Sequence, residues 1–116
     1  MKIRHMFPCI ALVLLVILLS SMRTQAQQKG ELIIVKSADT SATLVSIVAQ
    51  VAKQAVELQC NKGAVGCTVL QPGDYTLIRL PKNTGLYECS NVYVYQKSEN
   101  LEPVGEILGR YCIETN

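Results

Sequence analysis

Few side chains in this sequence could do chemistry, and they are unevenly placed. The chain of 116 residues has one His, one Phe, no Trp, five Tyr and five Cys. His5 and Phe7 both precede Ala26, so a chain processed at that point holds no imidazole to activate a serine or cysteine. Nucleophilic catalysis of that kind is excluded. Acid–base work would fall to carboxylates, of which Glu99, Glu102 and Glu106 are close in sequence. They flank Pro103 in a polar stretch that reads as a solvated loop, with no apolar pocket to raise one pKa. The same carboxylates lack the ligand spacing of a calcium loop. The later cysteines, spaced Cys-x6-Cys and Cys-x22-Cys, lack the close pairs of a zinc ribbon. No catalytic residue, metal ligand or cofactor is expected, and the chain reads as a non-enzyme.

Binding chemistry is better represented. Alternation places Tyr93 and Tyr95 on one face of a strand together with Asn91, where two rings, an amide and nearby Arg110 could hold a peptide or a sugar. The competing use of these rings is to fill the core of a domain that has no other aromatic. Lys82-Asn83-Thr84-Gly85 could be a protruding recognition or inhibitory loop, its ends held by Pro81 and Cys89. A plain hairpin connection has the same composition.

The elements that must position these groups begin after a leader. Met1–Ala26 reads as a cleaved signal peptide. Lys2, Arg4 and His5 form a basic head, Ile10 through Leu19 is uninterrupted apolar chain, and Thr24-Gln25-Ala26 offers small residues for cleavage before Gln27. The apolar run falls short of the ~20 residues that cross a bilayer core, so no membrane span is expected after cleavage. Cys9 precedes the apolar run, whereas a lipid-bearing cysteine would follow it. The net charge of +2 also belongs to the leader, because without Lys2, Arg4 and Arg23 the chain keeps eight Lys and Arg against nine Asp and Glu. A nucleic-acid partner is unsupported.

Residues 27–116 are expected to form a single small domain in an oxidising compartment, secreted or periplasmic. Cys60, Cys67, Cys89 and Cys112 permit three pairings. Sequence order favours Cys60–Cys67 and Cys89–Cys112, which on chain entropy contribute roughly 2.5 and 3.5 kcal/mol. The second bridge is therefore expected to matter more, the first pinning only a surface loop, Asn61 to Gly66.

Glu31 to Lys36 reads as a first strand, bounded by the polar Ser37 to Ser41. Residues 42–58 are ambiguous. Leu44, Val48, Val51, Ala55 and Leu58 have helical spacing, whereas Val45, Ile47, Ala49 and Val51, then Val56, Leu58 and Cys60, alternate as strands. A hairpin tip at Lys53-Gln54 lacks the Gly or Asn of a tight primed turn. Pro72-Gly73 marks a turn and opens a strand from Tyr75 to Leu80. Asn91 to Gln96 is the strongest strand signal, and Ile107 to Ile113 alternates as the last. The expected fold is all-β, a small antiparallel sandwich or partly open barrel of five to six strands with two disulfides. The alternative is α+β with a helix in 42–58.

Five motifs, Cys60-x6-Cys67, Leu70-Gln71-Pro72-Gly73-Asp74-Tyr75, Arg79-Leu80-Pro81-Lys82-Asn83, Gly85-Leu86-Tyr87-Glu88-Cys89-x-Asn91-Val92 and Leu108-Gly109-x-Tyr111-Cys112, resemble short exported bacterial proteins of an uncharacterised family. The resemblance implies a bacterial secreted origin and paired cysteines. It implies no activity and no ligand. The functional expectation is a non-catalytic exported module whose partner is a protein or an envelope glycan. An inhibitor of a secreted hydrolase, acting through Lys82 and Asn83, is the alternative, with a small His-free enzyme behind it.

Overall fold

The computed structural model describes residues 29–115. The expected leader, with Cys9 and the expected cleavage site, lies outside them. Six strands follow in order: β1 (Glu31–Thr40), β2 (Leu44–Val51), β3 (Gln54–Asn61), β4 (Gly73–Arg79), β5 (Asn91–Gln96) and β6 (Gly109–Thr115). All neighbours are antiparallel, and the order β1-β2-β3-β6-β5-β4 closes into a barrel. After the β1-β2-β3 meander the chain returns to lay β4 beside β1, a Greek key connection. The hairpin β5-β6 then closes against β3. Of the two forms expected, sandwich and partly open barrel, the barrel forms, and it is closed.

Period-2 alternation decides the ambiguous stretch. Val45, Ile47, Ala49 and Val51 on β2 and Val56, Leu58 and Cys60 on β3 all point into the lumen and are buried. A helix over 42–58 would have needed Val48 and Ala55 inside, yet Val48 is 50% exposed and Ala55 is exposed on the outer wall. β-Branched residues at every second position win because a half-buried sheet suits them better than a helix does. No helix occurs among the described residues, and none there is long and apolar enough to cross a membrane. The hairpin tip is Ala52-Lys53, one residue earlier than the expected Lys53-Gln54, since Gln54 already pairs with Val51. Both tip residues have positive φ, 49° and 69°.

β1 runs four residues beyond the expected Lys36. A register shift between Val35 and Ser37 marks a bulge, after which the strand continues along β2 without β4 on its other side. Such a bulge bends a strand and raises its twist, which helps a small barrel close. The lumen is filled by apolar side chains from all six strands, with Tyr111 the largest of those fully buried. Its ring lies over the Cα of Gly109, where any Cβ would collide with it. Its hydroxyl donates to the Thr68 carbonyl at 2.6 Å.

That bond belongs to the closure of one barrel mouth. The connection 62–72 crosses from β3 to β4, inserts Leu70 at 5% exposure, and is tied to β3 by the Cys60–Cys67 disulfide with Cα atoms 5.4 Å apart. At the other mouth Glu31 and Arg79 form an ion pair at 2.6 Å. Thr76 and Ile78 face outward from β4 yet are buried. The β5–β6 connection lies across them: Ser98 donates its backbone N–H to Thr76 Oγ1 at 3.3 Å, and Gly30 N donates to Leu101 O at 2.9 Å.

Candidate functional site

Because Val92 and Val94 take the inward positions of β5, Tyr93 and Tyr95 must face out, and both are half-buried on the outer wall. Two residues apart on one strand face, the rings stand roughly 7 Å from each other. Arg110 is the cross-strand partner of Tyr93, and its guanidinium carbon sits 5.4 Å from the centre of that ring. This is a cation–π contact. The rest of the residue is held as well. Arg110 N donates to Gly66 O at 2.9 Å, and the Cγ of its stem lies 2.9 Å from where a Cβ on Gly66 would be. Gly66 has φ +81°, so both backbone conformation and the close approach call for glycine. The connection 62–72 thus packs against the stem of Arg110.

Asn91 shares the outer face with Tyr93 and Tyr95 but is not open to solvent there. It is 4% exposed, and its side chain is taken up by the loop before it. Oδ1 accepts from Tyr87 N at 3.1 Å, while Nδ2 donates to Tyr87 O at 2.7 Å and to Cys89 O at 2.9 Å. All three amide functions are used, so Asn91 is a scaffold for residues 80–90. Gly85, φ +105°, lets the chain pass directly over it. Tyr87 in turn accepts from Asn61 N at 3.2 Å, and Cys89–Cys112 pins the same loop to the outside of β6.

Held in this way, the loop presents Lys82 and Asn83 at an exposed tip. Thr84 N donates to Pro81 O at 3.2 Å, the Thr84 hydroxyl bonds the same carbonyl, and Asn83 has φ 67°. The tip is therefore a tight turn. Beneath it runs an open groove of about 420 Å³, lined by Pro81, Lys82, Asn83, Tyr87 and Glu88. A second, of about 290 Å³, continues past Tyr87 and Cys89 to Gln59 and Cys112.

The structure brings Tyr93, Tyr95 and Arg110 together and places Lys82 and Asn83 on a separate loop. Gly66, Gly85 and Tyr87 support these two places, and sequence reasoning did not single them out for it; the only local signals were glycines in loops. Glu99, Glu102 and Glu106 are exposed on the β5–β6 connection. Among the described residues no group of three or more His, Cys, Asp or Glu could hold a metal ion. Burial pushes the Tyr111 hydroxyl well above the ordinary tyrosine value, against a lowering by the bond to Thr68. It faces the lumen and is no candidate for surface chemistry. The chain matches no family model, no curated protein and no solved structure.

Proposed function

We propose that this chain is a non-catalytic exported module, secreted or periplasmic and of bacterial origin, that binds a protein or a cell-envelope component through the outer wall of β5 and β6. One observation carries the reading. The lumen is packed with apolar side chains, whereas two tyrosine rings and a pinned arginine stand outward on a rigid sheet. Rings with an apolar body and a polar tip are suited to a surface that is wet when free and covered when bound. Two disulfides are compatible with an oxidising compartment. The test is capture of envelope glycans and secreted proteins on immobilised protein, comparing the wild type with Tyr93→Ala/Tyr95→Ala. Selective loss of capture by the variant supports the wall; equal capture removes it.

The loop at Lys82 and Asn83 supports a second reading, inhibition of a secreted hydrolase, because it is exposed and clamped at its base. It ranks lower because its tip is a hydrogen-bonded turn, whereas a chain read by strand addition is extended. Lys82→Ala should leave inhibition of any hydrolase panel unchanged if the wall is the functional face.

A further inference from the structure

We infer that the ligand of the β5–β6 wall is a saccharide carrying a carboxylate, with the Arg110 guanidinium as the group that receives it; this rests on the wall being the binding face. Residues 29–115 contain two arginines, and they are used differently. Arg79 is neutralised by Glu31 at 2.6 Å. Arg110 makes no ion pair and no side-chain hydrogen bond among the described residues. It is not loose, however. Its guanidinium carbon sits 5.4 Å from the centre of the Tyr93 ring, and the stem is packed against Gly66. Its N–H donors have no partner among the described residues, and their fork matches the two oxygens of a carboxylate. Most of the ordering cost of a long side chain has already been met by the fold.

The neighbouring groups narrow the ligand. Tyr95 offers a second ring roughly 7 Å along the same face, enough for the C–H face of a pyranose to rest on it with an exocyclic carboxylate reaching Arg110. The flank is acidic. The connection 97–108 that follows β5 carries three exposed carboxylates, Glu99, Glu102 and Glu106, against one lysine, Lys97. An extended polyanion would meet those carboxylates, whereas a single one beside Arg110 would not need to. The charge pattern therefore suits one acidic group on an otherwise neutral sugar.

The experiment titrates the exported, disulfide-bonded protein with cellobiouronic acid while following backbone amide resonances. Cellobiose, which differs by one carboxylate, and a blocked glutamate are the controls. The expected result is perturbation of Gly66, Tyr93, Tyr95 and Arg110 by the acid. Binding should weaken about tenfold or more for cellobiose and for Arg110→Lys, as befits one bidentate charge-assisted contact. No perturbation by the acid, equal binding of cellobiose, or equal binding of blocked glutamate overturns the inference. The two readings also fail separately. If Tyr93→Ala/Tyr95→Ala abolishes capture while Arg110→Lys changes nothing, the wall stands and the carboxylate assignment falls. If neither variant alters capture, both fall.

Discussion

The two disulfides join segments of the same chain yet sit in opposite surroundings. Cys60 points into the lumen and is 1% exposed, so its bridge to Cys67 is part of the packed mouth. Cys112 points outward from β6, and its bridge to Cys89 clamps a loop against the outer wall. Loop length ranks them one way, since the sequence separations are 7 and 23. Burial ranks them the other way. The segment Asn61 to Gly66 is largely exposed, Val65 within it at 73%, but the loop hangs from a buried anchor. A bridge's contribution depends on where its sulfurs lie as well as on the chain it closes.

The largest expected effect breaks this comparison by polarity. Replacing either pair with alanine should cost about 3.5 kcal/mol: at Cys89–Cys112 this is nearly all chain entropy, and at Cys60–Cys67 a buried void supplements the smaller entropic share. Serine separates them. A hydroxyl at position 60 lies among apolar lumen residues and should add about 1–3 kcal/mol, bringing Cys60→Ser/Cys67→Ala to roughly 5 kcal/mol, whereas serine and alanine at Cys112 should be nearly equivalent. Denaturant midpoints of the four double variants measure this. Equal midpoints for serine and alanine at position 60 would mean that this bridge is wet.

Next in size is the clamp on the wall side. Asn91→Ala removes three hydrogen bonds made by a side chain that is 4% exposed, and should cost about 2–3 kcal/mol. Asn91→Asp should cost more at neutral pH, because a carboxylate would replace the amide that donates to two carbonyls. Part of that loss should return on acidification, as protonation restores one donor. If the aspartate variant matched wild-type stability at pH 7, the three bonds would not be supporting the loop.

A smaller effect concerns the lumen and has a pH signature. Tyr111→Phe should cost about 1 kcal/mol at neutral pH through the lost bond to Thr68. The folded-state pKa of Tyr111 lies above its unfolded value of 10.0. Its stabilising contribution is therefore complete below pH 10.0 and is lost as pH rises above it, at up to about 1.4 kcal/mol per unit. The phenylalanine variant lacks this slope, so the gap between the two proteins should close and then reverse in strong alkali. A gap that stayed constant with pH would show that Tyr111 is not buried as a neutral phenol.

Much of this fold was legible because it rests on local alternation. Inward positions in the middle of β2, β3, β5 and β6 are mostly apolar, and that pattern put Tyr93 with Tyr95 on one face of β5 and Arg110 opposite Tyr111 on β6, while leaving open whether the two rings of β5 filled the core. What was not legible depends on contacts distant in sequence. Closure needs β1 beside β4 and β3 beside β6, and nothing in Glu31 to Val35 announces Gly73 to Leu77 as its neighbour. Asn91 lies on the outer face but is covered there by the loop carrying Tyr87 and Cys89, a cover that alternation does not reveal. Thr76 and Ile78 lie on the outer face of β4 yet are buried beneath the β5–β6 connection, a cover that local alternation does not reveal. The pinning of Arg110 by Gly66 belongs to the same class, since a loop glycine carries no sign of what will pack against it.

The smallest effect tests the hairpin whose tip the sequence misplaced. Ala52 and Lys53 occupy a two-residue loop with φ 49° and 69°, a conformation that costs an L residue roughly 1 kcal/mol and that Asn-Gly adopts readily. The tip joins two strands that line the lumen, yet its own side chains are exposed, so a change there touches neither disulfide environment. Ala52→Asn/Lys53→Gly should therefore raise stability by about 1 kcal/mol, offset in part by the greater freedom that glycine gives the unfolded chain. The gain should add to the losses at Cys60–Cys67 and Cys89–Cys112 alike, because distant independent sites combine within a few tenths of a kcal/mol. A gain that added on one disulfide background and vanished on the other would mean that mouth and wall are coupled through the β2–β3 hairpin, and the two bridges could no longer be treated as separate regions.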